Sequence, residues 1–295
     1  MTEGQLGAVA NQSPEVAAAG MGRTKRVNRP LLWVAVAWLG AVGLLALLAP
    51  FLPIASYVTP VGPPRMAPFN DWPEFLGTDS QGRSVLSRLI YGGRDTLAIS
   101  LGASLIGFVV GSIIGIVMGY FRGVVDRVVG FGVDVFLAFP PLVVLLLLVT
   151  ALRPSVPTLL VTLGLLVTPS FARLSRGSTL VWVDRPFVIA ARTYGASNWR
   201  IITRDLTGNV ILPLLTILPI VIAVIMIAEG SLSFLGFGMP PPRPSWGNMI
   251  SAGTKELRIT PVLTFIPAIV LFFTIFFLNV IGERVRSRFE MAGDS

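Results

Sequence analysis

Two acidic residues, Asp134 and Glu229, lie within long apolar stretches of the sequence. Ionisable side chains at such positions in membrane proteins are costly to bury and often act as ion relays or ligand contacts. Both fall near the predicted ends of helices, which favours a structural ion pair or a cap over a contact with a transported solute. Asp134 could reach back one or two turns to Arg127, whereas Glu229 could face the entrance of a pathway. A solute contact is the alternative for both residues.

Catalytic constellations are absent from the sequence. The chain has no cysteine and no histidine, which excludes disulfides, thiolate or histidine-ligated metal sites and Ser-His-Asp triads. Neither lysine, Lys25 or Lys255, ends a G-x-x-x-x-G-K-[ST] loop, so no phosphate cradle is recognisable. We therefore expect a chain that is not an enzyme and binds no cofactor or metal of its own.

Residues 184–208, between the fourth and fifth apolar stretches, combine arginines with small and apolar side chains. Pro186 suits the first turn of a helix, and Asp184 adds negative charge at the positive end of that helix. Gly195 is a natural C-terminal stop. Helical spacing predicts that three side chains share one face of this helix: Phe187, Ala191 and Tyr194.

A second short helix is predicted after this glycine. Ser197 can cap it, and its apolar residues are Trp199, Ile201 and Ile202. Three arginines surround the pair of helices: Arg192, Arg200 and Arg204. We expect a compact, rigid knob that contacts another protein. An ordinary basic loop between helices is the alternative.

Six apolar windows of about 20 residues, the length that crosses roughly 30 Å of hydrocarbon, predict membrane-spanning helices. They lie at about 31–52, 96–120, 131–152, 156–175, 209–230 and 262–282. Hydrophobic residues make up 53% of the chain and charged residues 13%, a balance too apolar for a soluble domain of this length. We predict an all-α integral membrane protein with six transmembrane helices. Long buried helices of a large soluble protein are the less favoured alternative.

The net charge of +8 comes mainly from arginines at the ends of the apolar windows. This pattern favours orientation in a lipid bilayer over binding to nucleic acid, which we do not expect as a partner. Most of the 23 basic residues fall on the cytoplasmic side if the N-terminus is inside. We therefore predict that both termini are cytoplasmic, although the first external loop carries four basic residues.

Residues before the second window divide into two parts. Residues 1–29 lack apolar periodicity, and we expect a disordered cytoplasmic tail. Residues 30–95 should contain the first transmembrane helix and a long external segment, extended in its proline-rich first half. Residues 96–295 then hold the five remaining helices.

The second half of the external segment has turn residues at Gly77–Gly82 followed by a helical pattern. Apolar side chains at Val85, Leu86, Leu89 and Ile90 share one side, and polar ones occupy the other: Arg83, Ser87 and Arg88. The pattern predicts an amphipathic helix at the outer interface. A linker packed on the protein is the alternative.

The second window contains four glycines spaced by four residues: Gly107, Gly111, Gly115 and Gly119. This spacing puts them on one helix face, where the missing side chains let another backbone approach closely. The sequence does not decide whether that helix belongs to this chain or to a second subunit.

Three blocks together resemble the dipeptide/oligopeptide/nickel group of ABC-importer permeases, in particular the C-type subunit of the pair. They are LGTDSQGRSVLSRLIYGGR at 76–94, AARTYGAS from 190, and SLSFLGFGMPPPRPSWGNMI at 231–250. With the six windows and the order of elements, the resemblance covers nearly everything after residue 30. It implies a type I ABC-importer (MetI-like) permease fold in a bacterial cytoplasmic (inner) membrane.

The resemblance also implies partners. A homologous B-type permease would complete the pathway, two ATP-binding cassette subunits or domains would carry ATP and Mg²⁺, and an external solute-binding protein would deliver the solute. Residues 96–295 would be the permease core, with residues 184–208 as its cytoplasmic coupling loop.

Seven residues of this loop are the expected contacts with the ATPase: Phe187, Ala190, Ala191, Tyr194, Gly195, Trp199 and Arg200. Ala190, Ala191 and Gly195 match the core of the family's coupling motif. The sequence departs from that motif at Ile189, which replaces a glutamate, and at Gly208, where many relatives have proline. The first departure removes any ion pair that the glutamate would make with the ATPase.

The resemblance implies import of di- or oligopeptides, with nickel or another small solute as the alternative within the same group. An ion-coupled secondary transporter is a remote alternative, because the apolar windows offer few ionisable residues. A membrane scaffold that only anchors a complex is another.

Overall fold

The computed structural model describes residues 29–70, 72–153 and 155–293, and its regular structure is helical. The predicted tail at 1–29 lies outside the described residues except for Arg29, which begins the first helix. The helices are α1 Arg29–Leu48, α2 Val85–Phe121, α3 Gly123–Ala138, α4 Pro141–Leu152, α5 Val156–Trp182, α6 Pro186–Thr193, α7 Thr207–Phe234, α8 Trp246–Thr254 and α9 Val262–Gly293. A 3₁₀ turn, Ala49–Phe51, extends α1.

Five helical stretches among the described residues are long and apolar enough to cross a membrane: Arg29–Phe51, Val85–Phe121, Val156–Trp182, Asn198–Phe234 and Val262–Arg288. A sixth span results if α3 and α4 are counted together. The predicted all-α membrane architecture is therefore confirmed, with five or six spans.

The third predicted span is not one helix. α3 and α4 meet at an angle of 93°, and Phe139 between them is extended, with φ −82° and ψ 140°. Pro140 and Pro141 explain the break, because proline lacks an N–H donor and disfavours helical geometry in the residue before it. The span predicted over 131–152 therefore consists of two helices rather than one.

The segment between α1 and α2 is folded rather than extended. Thr78 organises it: its Oγ1 donates to the carbonyl of Pro63 (2.5 Å) and accepts from the backbone N of Met66 (2.9 Å). Arg65 reaches across to Glu256, just after α8, with Nε–Oε2 and Nη2–Oε1 distances of 2.9 and 3.0 Å. These contacts fix the segment against the helices.

No separate amphipathic helix precedes α2. The helix predicted from Val85 continues without a break into the second span, and the side expected to be polar and outward is covered. Ser87 Oγ donates to the carbonyl of Ala55 (2.6 Å), and Arg88 Nη1 donates to that of Tyr57 (3.2 Å). The folded-back chain supplies acceptors that the helical pattern alone does not reveal.

The glycine face of α2 packs against α5 of the same chain. A Cβ on Gly111 would lie 2.6 Å from the carbonyl oxygen of Thr168, and one on Gly115 would lie 2.7 Å from the backbone N of Arg176. Ser175 Oγ on α5 donates to the carbonyl of Ser112 on α2 (3.0 Å). The two backbones are therefore in direct contact along several turns.

A helix that the sequence did not predict, α8, covers the opposite end of α2 from α3. Ser245 and Asn248 cap it reciprocally. Trp246 is buried, with its backbone N donating to Thr96 Oγ1 (3.1 Å) and its Nε1 donating to the carbonyl of Leu89 (2.9 Å). At nine residues, α8 is too short to give a clear periodic signal.

We predict that Gly115→Ala lowers the free energy of unfolding by about 1–3 kcal/mol, because the added methyl overpacks the α2–α5 contact. Gly177→Ala is the matched control, since nothing lies within 4 Å of its added Cβ. That control should be neutral or gain up to about 1 kcal/mol of helix stability. Thermal unfolding of both variants in detergent, followed by circular dichroism, tests this. Equal effects would contradict the close approach.

The Arg65–Glu256 pair predicts a pH dependence. Hydrogen bonds from Arg65 hold the pKa of Glu256 below its ordinary value of 4.5. Because the folded-state pKa is the lower one, the pair stabilises the protein above about pH 4.5, and this contribution is lost as the pH falls through the folded-state pKa. The melting temperature of Glu256→Gln should therefore lie slightly below that of the wild type at pH 7. A difference that persists undiminished at pH 3 would contradict the pairing.

Candidate functional site

Residues 184–208 form a short helix and a helical extension of α7. α6 ends in a Schellman motif in which Ala196 N donates to Ala191 O and Gly195 N donates to Arg192 O, both at 3.0 Å. Gly195 has a φ of +78°, a left-handed conformation that glycine adopts without steric cost. The predicted helix from Pro186 and its stop at Gly195 agree with this geometry.

The second half of the segment is not a separate helix. Ser197 caps it by accepting from Arg200 N at 3.4 Å. A single α-turn, Asn198–Arg200, and a π-helical turn, Ile201–Leu206, then lead without a break into α7. No proline interrupts residues 187–212, so nothing ends the helix as the prediction of a second short helix required.

The segment is anchored to the end of α2. Tyr120 Oη donates to Asn198 Oδ1 (2.7 Å), and the guanidinium of Arg192 lies 5.5 Å from the centre of the Tyr120 ring. Beneath them, three side chains of the segment are fully buried: Val188, Ile201 and Leu206. Asp184, which precedes α6, pairs with Arg122 next to the end of α2 at 2.6 Å.

Most of the predicted contact residues lie on the outer surface of this segment. Tyr194 is 91% exposed and Trp199 76% exposed. Phe187, Ala190, Gly195 and Arg200 are also exposed, whereas Ala191 is half-buried. The sequence reasoning missed Val188 as the inward anchor, although its spacing from Ala191 places both on one helix face. Large exposed aromatic rings on a rigid support form a surface suited to another protein.

Asp134 forms an ion pair, but with a partner other than the expected Arg127, and Glu229 is buried. Asp134 Oδ1 accepts from Arg173 Nη2 on α5 at 2.7 Å, not from Arg127 on its own helix, because α5 runs beside α3. Glu229 is 1% exposed. Its Oε1 accepts from Ser233 and Ser245 (both 2.8 Å), while Oε2 has no partner among the described residues. α7 continues to Phe234, so Glu229 lies beneath α8 rather than at a helix end.

These features define a class: a multi-pass helical membrane protein with an exposed segment, carrying aromatic side chains, between two of its spans. Residues 111–291 match the family described as binding-protein-dependent transport system inner membrane component. The chain belongs to this family, which makes it the permease of an ABC importer, a transporter component of the inner membrane.

Curated relatives agree. The glutathione transport system permease protein GsiD of Pectobacterium atrosepticum is 30% identical over 216 residues, covering 73% of this chain and 72% of that protein. GsiD of Escherichia coli O6:K15:H31 is 34% identical over 216 residues, covering 73% and 71%. The expected membership among ABC-importer permeases is confirmed.

A chain of the MetNI methionine ABC transporter, solved in inward-facing conformations, matches with a TM-score of 0.56 and 19% identity, covering 68% of this chain and 95% of that one. At this identity the likeness concerns the fold alone. It confirms the predicted type I (MetI-like) permease fold.

We predict that Tyr120→Phe loosens the 184–208 segment, because it removes the hydrogen bond to Asn198. A net hydrogen bond contributes about 1 kcal/mol, so backbone amides of residues 198–206 should exchange with deuterium roughly fivefold faster. Tyr194→Phe is the control, since that side chain is almost fully exposed. Identical exchange in the two variants would show that the Tyr120–Asn198 bond does not hold the segment.

Proposed function

We propose that this permease is the C-type subunit of an ATP-driven importer of di- and oligopeptides. The observation that carries the proposal is the 184–208 segment, anchored to Tyr120 and continuous with a membrane span, in a chain whose relatives are glutathione permeases. Glutathione is a tripeptide, so peptides are the solute class that these relatives support. The partner that completes the pathway is a homologous B-type permease.

The chain itself hydrolyses no ATP in this proposal. Two ATP-binding cassette subunits or domains hold ATP and Mg²⁺, and an external solute-binding protein delivers the peptide. The exposed residues Phe187, Ala190, Tyr194, Trp199 and Arg200 contact one ATPase, with Ala191 and Gly195 shaping the support beneath them. Ile189, which is 54% exposed, offers this partner an apolar contact.

Force from the ATPase has a continuous route through the chain. Closure of the ATPase dimer on ATP displaces the 184–208 segment, and the unbroken helix from Asn198 to Phe234 carries that displacement across the membrane. At its far end Glu229 is hydrogen-bonded to Ser245, the N-cap of α8. ATP shifts the equilibrium between inward- and outward-facing states because the ATPase binds the two arrangements with different affinity.

The orientation follows from the charge distribution. Both termini and the 184–208 segment face the cytoplasm, and the 53–84 segment and α8 face outward. Residues 30–95 then comprise the first span and the external segment, and residues 96–295 the permease core.

The proposal is tested by purifying the tagged chain from native membranes in mild detergent and identifying its partners by mass spectrometry. A second permease, an ATPase with a phosphate-binding loop and a solute-binding protein should accompany it. Proteoliposomes of that complex should accumulate alanyl-alanine only with ATP and Mg²⁺. Uptake that follows a proton or sodium gradient without ATP would overturn the proposal.

We predict that Gly195→Val uncouples ATP hydrolysis from transport. Valine in the left-handed conformation is strained by about 1–2 kcal/mol, which distorts the end of α6. Peptide uptake should fall several-fold while ATP hydrolysis by the complex persists. Gly195→Asn is the control, because asparagine tolerates this conformation and nothing crowds its Cβ. Normal peptide uptake by the valine variant would show that the segment does not couple ATP hydrolysis to transport.

A further inference from the structure

A cavity of about 550 Å³ opens between α3 and α5, beside the end of α2 that carries the 184–208 segment. Its volume falls within the range of small-molecule sites. Met118 and Phe131 contribute apolar wall, and five charged side chains complete it: Asp126, Arg127, Asp134, Arg173 and Arg176. Positively and negatively charged side chains therefore line the same open cavity.

The two ion pairs in this cavity are not equivalent. Arg176 binds Asp126 through two hydrogen bonds, one of them Nη2–Oδ2 at 2.7 Å, and these side chains are 38% and 21% exposed. Arg173 binds Asp134 through a single hydrogen bond of 2.7 Å, and these side chains are 60% and 68% exposed. The first pair holds α3 against α5. In the second pair, Arg173 has further N–H groups and Asp134 a second carboxylate oxygen for which the described residues provide no hydrogen bond, and both side chains line the cavity.

The exposed pair is also easy to open. No side chain of α3 is buried, so Asp134 can change rotamer without disturbing a packed core. A ligand that carries one ammonium and one carboxylate would replace the single Arg173–Asp134 pair with two new ones. No charge is left without a partner in that exchange, which avoids the main cost of breaking an ion pair.

We propose that this cavity binds the two charged ends of a zwitterionic peptide, with Asp134 accepting from the terminal ammonium and Arg173 donating to the terminal carboxylate. Arginine suits this role because its planar guanidinium can bind a carboxylate through two parallel hydrogen bonds. This inference rests on the proposed peptide import and adds to it a site within the permease itself. The site recognises the end groups that all unmodified peptides share and leaves the side chains unread.

An anionic phospholipid headgroup is the competing occupant. It would use Arg127 and Arg173, but the exposed carboxylate of Asp134 would repel its phosphate. The presence of both charges in the more exposed pair favours the zwitterion.

The test measures equilibrium binding of radiolabelled peptides to the complete transporter in nanodiscs, without the external binding protein. The probes are alanyl-alanine, its N-acetyl form, which lacks the ammonium, and its C-terminal amide, which lacks the carboxylate. In the wild type each modification should weaken binding about tenfold or more, as expected for loss of a hydrogen bond to a charged group. Acetylation should cost nothing further in Asp134→Asn, and amidation nothing further in Arg173→Gln.

Because each variant should cancel the effect of only one peptide modification, the results distinguish direct contact with the peptide from a general structural effect of the substitution. Glu256→Gln, which removes an Arg–carboxylate pair elsewhere on the surface, should bind all three probes like the wild type. The double variant Asp134→Arg with Arg173→Asp keeps an ion pair, and co-purification of its partners verifies that it folds. Equal losses for acetylation and amidation in every variant would overturn the proposal. So would the absence of saturable alanyl-alanine binding, or loss of co-purified anionic phospholipid in Arg173→Gln with peptide binding unchanged.

A second measurement distinguishes failure of the proposed site from failure of the proposed peptide import. It is ATP-driven uptake of alanyl-alanine by the same preparation, supplied with its binding protein. If uptake occurs but peptide binding does not depend on Asp134 and Arg173, only the proposed site is refuted. Absence of any peptide uptake refutes the proposed function itself.

Discussion

Glycines at every fourth position of α2 let the backbone of α5 approach so closely that a Cβ added to Gly111 or Gly115 would clash with backbone atoms of α5. Within lipid no hydrophobic force draws helices together, so packing of this kind is what holds them. The largest core cluster among the described residues continues from this contact and includes Ile99 of α2, Phe171 of α5 and Leu214 of α7. α1, α3, α4, α7 and α8 pack against one or both of these helices, whereas α9 packs against α7, α8 and α1.

Periodicity and apolar length were sufficient to predict the spans, because a membrane helix must bury about 20 residues in hydrocarbon whatever its neighbours are. They failed where contacts with another segment of the chain decide which side chains are buried. Ser87 and Arg88 look solvent-facing in sequence, yet the carbonyls of Ala55 and Tyr57 lie against them. The break at Pro140–Pro141 could have been inferred from two adjacent prolines, which remove consecutive N–H donors.

The helical elements of the candidate site could be predicted from local sequence, but its long-range contacts could not. Pro186, Gly195 and Ser197 carry local signals for a helix start, a stop and a cap, and the structure follows them. The inward side of the segment depends on Tyr120, 78 residues away from its partner Asn198 in the chain. The same applies to Asp134, whose partner Arg173 lies on a different helix. Pairings over such distances leave no trace in local spacing.

α2 is continuous for 37 residues. At 1.5 Å per residue it is about 55 Å long, well beyond the roughly 30 Å of bilayer hydrocarbon. One of its ends is fastened to α8 by Leu89 and Thr96, and the other to the 184–208 segment by Tyr120. α2 thus connects α8 at one end with the 184–208 segment at the other through a single unbroken helix. Because its backbone is hydrogen-bonded without interruption, this helix sets the distance between α8 and the 184–208 segment.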